Sequence, residues 1–155
     1  MRQRIYIDTS VIGGYYDSEF SIPTRQFFER IKKKELEIFL SEISSLELID
    51  APLQVQEVVN LIPVECLTYL EFTEEAKQLS SKYLQQKILG AASMNDANHI
   101  AIATINRLDV LVSWNFKHIV NRDKIQLFNA VNLMNGYSLI DIRTPQEMIR
   151  YEEEK

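Results

Sequence analysis

The stretch "SMNDANHIAIATINRLDVLVSW" (Ser93–Trp114) carries the key to the fold. Its first two thirds read as an amphipathic helix whose Ala-rich face suits close packing on a sheet. "DVLVSW" then reads as a short buried strand. A helix running straight into an apolar strand is half of a parallel crossover, and the same grammar extends in both directions. Towards the carboxyl end come "RDKIQLFNAVNLMNGY", a helix ended near Gly136, then the strand "SLIDI", then "TPQEMIRYEEE", a helix with Pro145 in its first turn. Towards the amino end comes "TEEAKQLSSKYLQQKIL", a helix opened by Thr73 with acids in its first turn. Before it stand the strand "VECLTY" and "SEISSLELIDAPLQVQEVVNLIP", helical segments broken at Pro52 and stopped before Pro63. "LEIFLSE" is another strand. "IPTRQFFERIKKK" is a helix with Thr24 at the cap position, and its lysines Lys32–Lys34 form a solvated helix end. The first strand lies in "RIYIDTSVIGG" (Arg4–Gly14), where Ile5, Tyr6 and Ile7 stop at Asp8 and a glycine pair, Gly13 and Gly14, suits a tight turn.

Strands thus alternate with helices throughout, which predicts a three-layer α/β/α domain over residues 1–155 with a five-stranded parallel sheet and right-handed crossovers. In such a sheet ligands sit beyond the carboxyl ends of the strands, at the switch point of their order. Asp8 and the "SWN" after the fourth strand lie at such ends.

Composition narrows the classes of function. The chain is 46% hydrophobic and 25% charged over 155 residues, enough for one substantial core. Seventeen basic against twenty-two acidic residues give a net charge of -5, so no global field attracts nucleic acid, and a local basic patch is left to do so. The single Cys66 excludes an intrachain disulfide and a thiolate metal cluster, and a reducing cytoplasm is the expected compartment. No signal peptide and no membrane-spanning apolar run is read in the sequence.

Three acids stand out by position, each with two readings. Asp8 either caps the helix that begins near Val11 or waits at the sheet edge for a cation. Glu47 is either a solvated helix charge or a ligand. Asp96 is either the capping-box partner of Ser93 or a site acid at a helix start.

The pieces "IYIDTSVI", "ISSLEL" and "NDANHIAIATINRLDVLVSWNFKHI" resemble, in order and over nearly the whole chain, the PIN-domain family and in particular toxin ribonucleases of the VapBC type. The resemblance implies that Asp8, Glu47 and Asp96 converge on one or two divalent cations, Mg²⁺ or Mn²⁺, whose preference is for hard oxygen ligands. It implies hydrolysis of RNA phosphodiesters by metal-activated water, with Glu47 or Asp96 acting on the water. It also implies an antitoxin partner and a homodimer. At the fourth site position, where many relatives carry Asp, this chain has Asn115, which keeps a carbonyl oxygen but loses a charge. One tightly held ion is therefore expected, with Asn115 and Ser113 positioning water or phosphate.

Around these residues, His99 lies one helical turn after Asp96 and is expected to be hydrogen-bonded beneath the site. Ser113, Lys117, His118 and Arg122 are the candidate RNA contacts, with Lys124 in the same basic cluster. Trp114 is read as core or interface in preference to a base-stacking ring. Ser10 is expected to cap the short helix after Asp8, with Thr9 either capping or supplying a hydroxyl to the site. Tyr15, Tyr16, Phe27 and Phe28 come early in the chain, and two adjacent aromatics on a helix do not easily both point inward, which predicts a surplus for a partner surface. Two other functions compete with the nuclease. One is a PIN domain with weakened catalysis that binds RNA or protein. The other is a flavodoxin-like or receiver-type domain, disfavoured by the lack of a phosphate-cradling glycine loop and of a lysine after a late strand.

Overall fold

The computed structural model describes residues 1–87 and 93–149. The chain forms β1 (Gln3–Ile7), α1 (Thr9–Gly14), α2 (Ser21–Lys32), β2 (Leu36–Ser41), α3 (Glu42–Ile49) and α4 (Leu53–Gln56). Two 3-10 turns follow (Glu57–Leu61 and Val64–Cys66), then β3 (Leu67–Leu70), α5 (Glu74–Gln85), α6 (Met94–Ile105), β4 (Val110–Val112), α7 (Arg122–Met134) and β5 (Asp141–Arg143). All pairings are parallel, in the order β3-β2-β1-β4-β5. A flavodoxin-like sheet runs β2-β1-β3-β4-β5, so this order removes the flavodoxin and receiver reading. The order reverses between β1 and β4, and the crevice at their carboxyl ends is where Asp8 and Ser113–Asn115 emerge.

Period-two alternation in the strands sorts the core into two layers. Ile5, Ile7, Ile38, Leu40, Val110 and Val112 pack with α1, α2 and the Val58–Ile62 segment. Tyr6, Phe39, Leu111 and Ile142 pack on the other face against α5, α6 and α7. The Ala-rich face of α6 does pack tightly, with Ala97, Ala101 and Ala103 wholly buried. Thr73 caps α5 as expected, its hydroxyl accepting from Ala76 N–H, and Gly136 ends α7 at a positive φ of 82°.

Several local expectations change. Phe27 and Phe28 are both fully buried. Phe28 meets Tyr15 edge-on at 5.5 Å, and Arg30 of α2 holds the Met148 carbonyl, so α2 is covered on more than one side and leaves no surplus from this pair. Thr24 does not cap α2, which starts at Ser21. Its hydroxyl instead donates to the Phe20 carbonyl and accepts from the Trp114 indole. Gly13 and Gly14 are helical, not a turn. A Cβ on Gly14 would lie 2.8 Å from Trp114 Cδ1 and 2.9 Å from Thr24 Oγ1, so Gly14 is required for close approach. The third strand starts only at Leu67, and the helix expected after β5 is a 3-10 turn at Pro145–Met148. Lys32–Lys34 are exposed as expected, and Lys34 also pairs with Glu65 at the surface. The proposed continuation of α5 to Ile88 and Leu89, and of the last helix beyond Ile149 into the acidic tail, lies outside the described residues. Among the described residues no helix is long and apolar enough to cross a membrane.

Candidate active site

Asp8 ends β1 and turns the chain into α1, and the capping reading of it holds. Its Oδ1 accepts from Val11 N–H at 3.3 Å as the α1 cap and from the Ser10 hydroxyl at 2.6 Å. Its Oδ2 accepts from the Ser113 hydroxyl, at the end of neighbouring β4, at 2.6 Å. Asp8 is 2% exposed. Burial raises its carboxyl above the ordinary range, and the His99 ring, the two serines and the Val11 amide offset part of that rise. Ser10 is thus not the cap: it donates to Asp8 and accepts from the Trp114 amide at 2.9 Å.

Glu47 sits on α3, where the Ser41 capping box starts the helix directly from β2. Its Oε1 receives the Thr9 hydroxyl at 2.9 Å and meets His99 Nε2 at 2.5 Å. Burial pushes the Glu47 carboxyl up, but the His99 and Thr9 contacts outweigh it and hold the group below its ordinary value. Thr9 therefore steadies Glu47 and caps nothing.

Asp96 lies in the first turn of α6, and Ser93 makes no side-chain cap bond there. Burial, followed by the negative charge of Asp8, lifts its carboxyl to about 6, and Glu47 adds to the rise. The His99 ring and a hydrogen bond from Asn115 lower it in part. Asp8, Glu47 and Asp96, far apart in sequence, therefore share one electrostatic field. They do not share a preformed coordination sphere: among the described residues no group of three or more His, Cys, Asp or Glu is close enough to hold a metal ion. The donors are nonetheless the hard oxygens that Mg²⁺ or Mn²⁺ takes, and Mg²⁺ commonly uses one or two carboxylates and keeps its waters.

Asn115 uses its side-chain carbonyl as a hydrogen-bond acceptor. Its Oδ1 accepts from His118 N–H at 3.0 Å, which turns its amide nitrogen towards Asp96. Its carbonyl oxygen caps its own loop and keeps a second lone pair. Ser113 is wholly buried, its hydroxyl donated to Asp8 and accepting from Asn115 N–H, so it is no RNA contact. Lys117 and Arg122 are exposed and have no ion-pair partner among the described residues. His118 Nδ1 lies 3.3 Å from Lys124 Nζ, and partial burial, then the charges of Lys124 and Lys117, hold its pKa below the ordinary value.

Trp114, 7% exposed, is core as expected: it stacks on Phe20 at 4.4 Å. The ring the sequence reading overlooked is Phe116, 51% exposed beside Trp114 and next in the chain to Asn115. Tyr6 was also overlooked. A buried tyrosine in a strand of isoleucines was the available signal, since its O–H needs a partner inside. Its hydroxyl lies 2.5 Å from His99 Nδ1 and 2.7 Å from Ser41 Oγ. His99, 1% exposed, is the hydrogen-bonded histidine beneath the site that its spacing predicted.

No family model and no curated protein matches the sequence. Solved structures do match. The chain aligns with VapBC2 of Rickettsia felis bound to a promoter DNA fragment at a TM-score of 0.58 and 17% identity, covering 92% of this chain and 98% of that one. A FitAB complex on the IR36 DNA fragment gives 0.58 and 15%, over 97% and 99% of the two chains. The FitAcB structure of Neisseria gonorrhoeae gives 0.57 and 16%, over 91% and 97%. At these identities the likeness is one of fold, over almost the full length of both chains. The five-stranded parallel sheet and the end-to-end match together give this chain the fold of the matched VapBC2, FitAB and FitAcB chains.

Proposed function

We propose that this chain is an endoribonuclease dependent on Mg²⁺ or Mn²⁺ and that it is the toxin of a VapBC-type pair. The observation that carries the reading is that Asp96 lies in the combined field of Asp8 and Glu47 at the switch point of the sheet. Acids gathered in this way repel one another, and a divalent cation offsets the repulsion. Asp8 and Asp96 would hold the ion. When bound, it supplies charge stabilisation at the scissile phosphate and acidifies a water.

The chain's own residues do the rest. Glu47, with Oε1 engaged by Thr9 and His99, offers Oε2 to orient the attacking water. Water oxygen bonds to phosphorus, one ribose oxygen leaves, and the proton lost by water returns to that oxygen through solvent. Asn115 steadies the Asp96 carboxylate by donation. Lys117 and Arg122 meet RNA phosphates, and Phe116 supplies a face for a base. The exposed Leu46, Ile49 and Leu53 give apolar surface to an antitoxin or a second copy of the chain.

A second reading, a PIN-like module that binds without turnover, is favoured by one observation: the Asn115 carbonyl faces His118 and not the acids. One experiment separates the two. RNA cleavage by the purified chain should stop with EDTA, return with Mn²⁺ and vanish in Asp8→Asn. Cleavage retained in Asp8→Asn overturns the proposal, and RNA binding without any turnover installs the second reading.

A further inference from the structure

The nuclease reading leaves unexplained a line of polar side chains driven through the core. Ser41 Oγ accepts from Ile43 N–H and lies 2.7 Å from Tyr6 Oη, where either hydroxyl can donate. Tyr6 is wholly buried, and its Oη is 2.5 Å from His99 Nδ1. His99 is buried in turn, and its Nε2 is 2.5 Å from Glu47 Oε1. The four residues come from β1, β2, α3 and α6, so the whole sheet-helix framework must form before the line exists. Among the described residues no buried side-chain nitrogen or oxygen lacks a partner, so the line is fully used.

Each bond has a direction. An ionised Glu47 can only accept, so Nε2 carries the proton, and in the neutral ring Nδ1 then accepts from the Tyr6 hydroxyl, with Ser41 donating to Tyr6 Oη. An Nδ1 that accepts places the ring proton on Nε2, and Nε2–H then donates to Glu47. We propose that Tyr6 and His99 are positioning residues: Tyr6 fixes the Nε2–H tautomer of His99, and His99 locks Glu47 in one rotamer with Oε1 occupied, so that only Oε2 is presented to the attacking water. This inference rests on the nuclease reading for its consequence, but not for its geometry. A histidine whose tautomer is set by the partner on its other nitrogen is a general device for orienting a functional group. Here a tyrosine anchored in a β-strand sets it, which ties the aim of the site acid to the packing of the core. Thr9 provides the second donor to the same oxygen.

The test has two arms. Long-range nitrogen-15 NMR of the intact protein reads the tautomer without metal or substrate. The chain has two histidines, so His99→Gln assigns the signals. The wild type should show His99 protonated on Nε2 with Nδ1 as acceptor, and Tyr6→Phe should lose that fixed pattern. In the second arm, Tyr6→Phe and His99→Ala should lower kcat by about 10–100-fold at unchanged KM and with Mn²⁺-induced thermal stabilisation retained. His99→Gln, which keeps an N–H in reach of Glu47, should recover part of kcat. A wild-type ring protonated on Nδ1, or an unchanged kcat in a folded Tyr6→Phe protein, overturns the inference. A wild type that cleaves no RNA refutes the nuclease reading alone, and the NMR arm still decides the relay.

Discussion

Replacing Asp96 by Asn should stabilise the metal-free protein at neutral pH and leave it unchanged in acid. Burial and the charges of Asp8 and Glu47 raise the Asp96 carboxyl from 3.8 to about 6. A carboxyl raised in this way keeps its proton in the native state over a pH range where the unfolded chain has lost it. Its contribution to stability is therefore full below about 4 and is lost as pH climbs towards about 6. The separation is equivalent to ~3 kcal/mol for an enclosed group. Asp96 is only half-buried, and screening by solvent reduces the expected gain to about 1 kcal/mol. Asn has the same shape, keeps an oxygen for the Asn115 amide, and removes the charge. Urea unfolding in EDTA at about pH 7.5 should show the variant more stable by about 1 kcal/mol, or about 3 °C in Tm. At about pH 4 the two proteins should unfold together. Added Mn²⁺ should erase the difference by stabilising the wild type alone. A variant that is destabilised at both pH values would refute the claim that these acids stand in mutual repulsion.

Three further outcomes are expected. Gly14→Ala forces a Cβ to within 2.8 Å of the Trp114 ring and should cost about 1–3 kcal/mol as overpacking. Fluorescence of the single tryptophan should shift with it, and an unchanged Tm and spectrum would contradict the packing. Asn115→Asp places a second carboxylate beside Asp96, so it should lower the stability of the metal-free protein and strengthen Mn²⁺ binding in calorimetry; equal affinity in both proteins would count against Asn115 facing the acids. Phe116→Ala should weaken binding of single-stranded RNA by about 1–3 kcal/mol while hydrolysis of bis-p-nitrophenyl phosphate, which carries no nucleobase, stays unchanged. Loss of both activities would return Phe116 to a structural role.

Neighbouring residues alone dictated the alternation of strand and helix, the capping of α5 by Thr73, the end of α7 at Gly136, and the position of Asp8 at a strand terminus. These follow from hydrophobic periods of two and about 3.6 and from local backbone chemistry, which a linear reading can see. The motif order also pointed to Asp8, Glu47 and Asp96 as a set. Tertiary structure alone decided the order β3-β2-β1-β4-β5, and with it which strand ends share a crevice. It decided that Ser113 serves Asp8 across 105 residues, that Asn115 turns its carbonyl to His118, and that Phe116, not Trp114, faces outward. It also joined Tyr6 to His99 across 93 residues. The physical reason is that a side chain's period fixes which layer it enters, while its hydrogen-bond partner there is set by crossovers that bring distant segments together, and no local pattern encodes that choice.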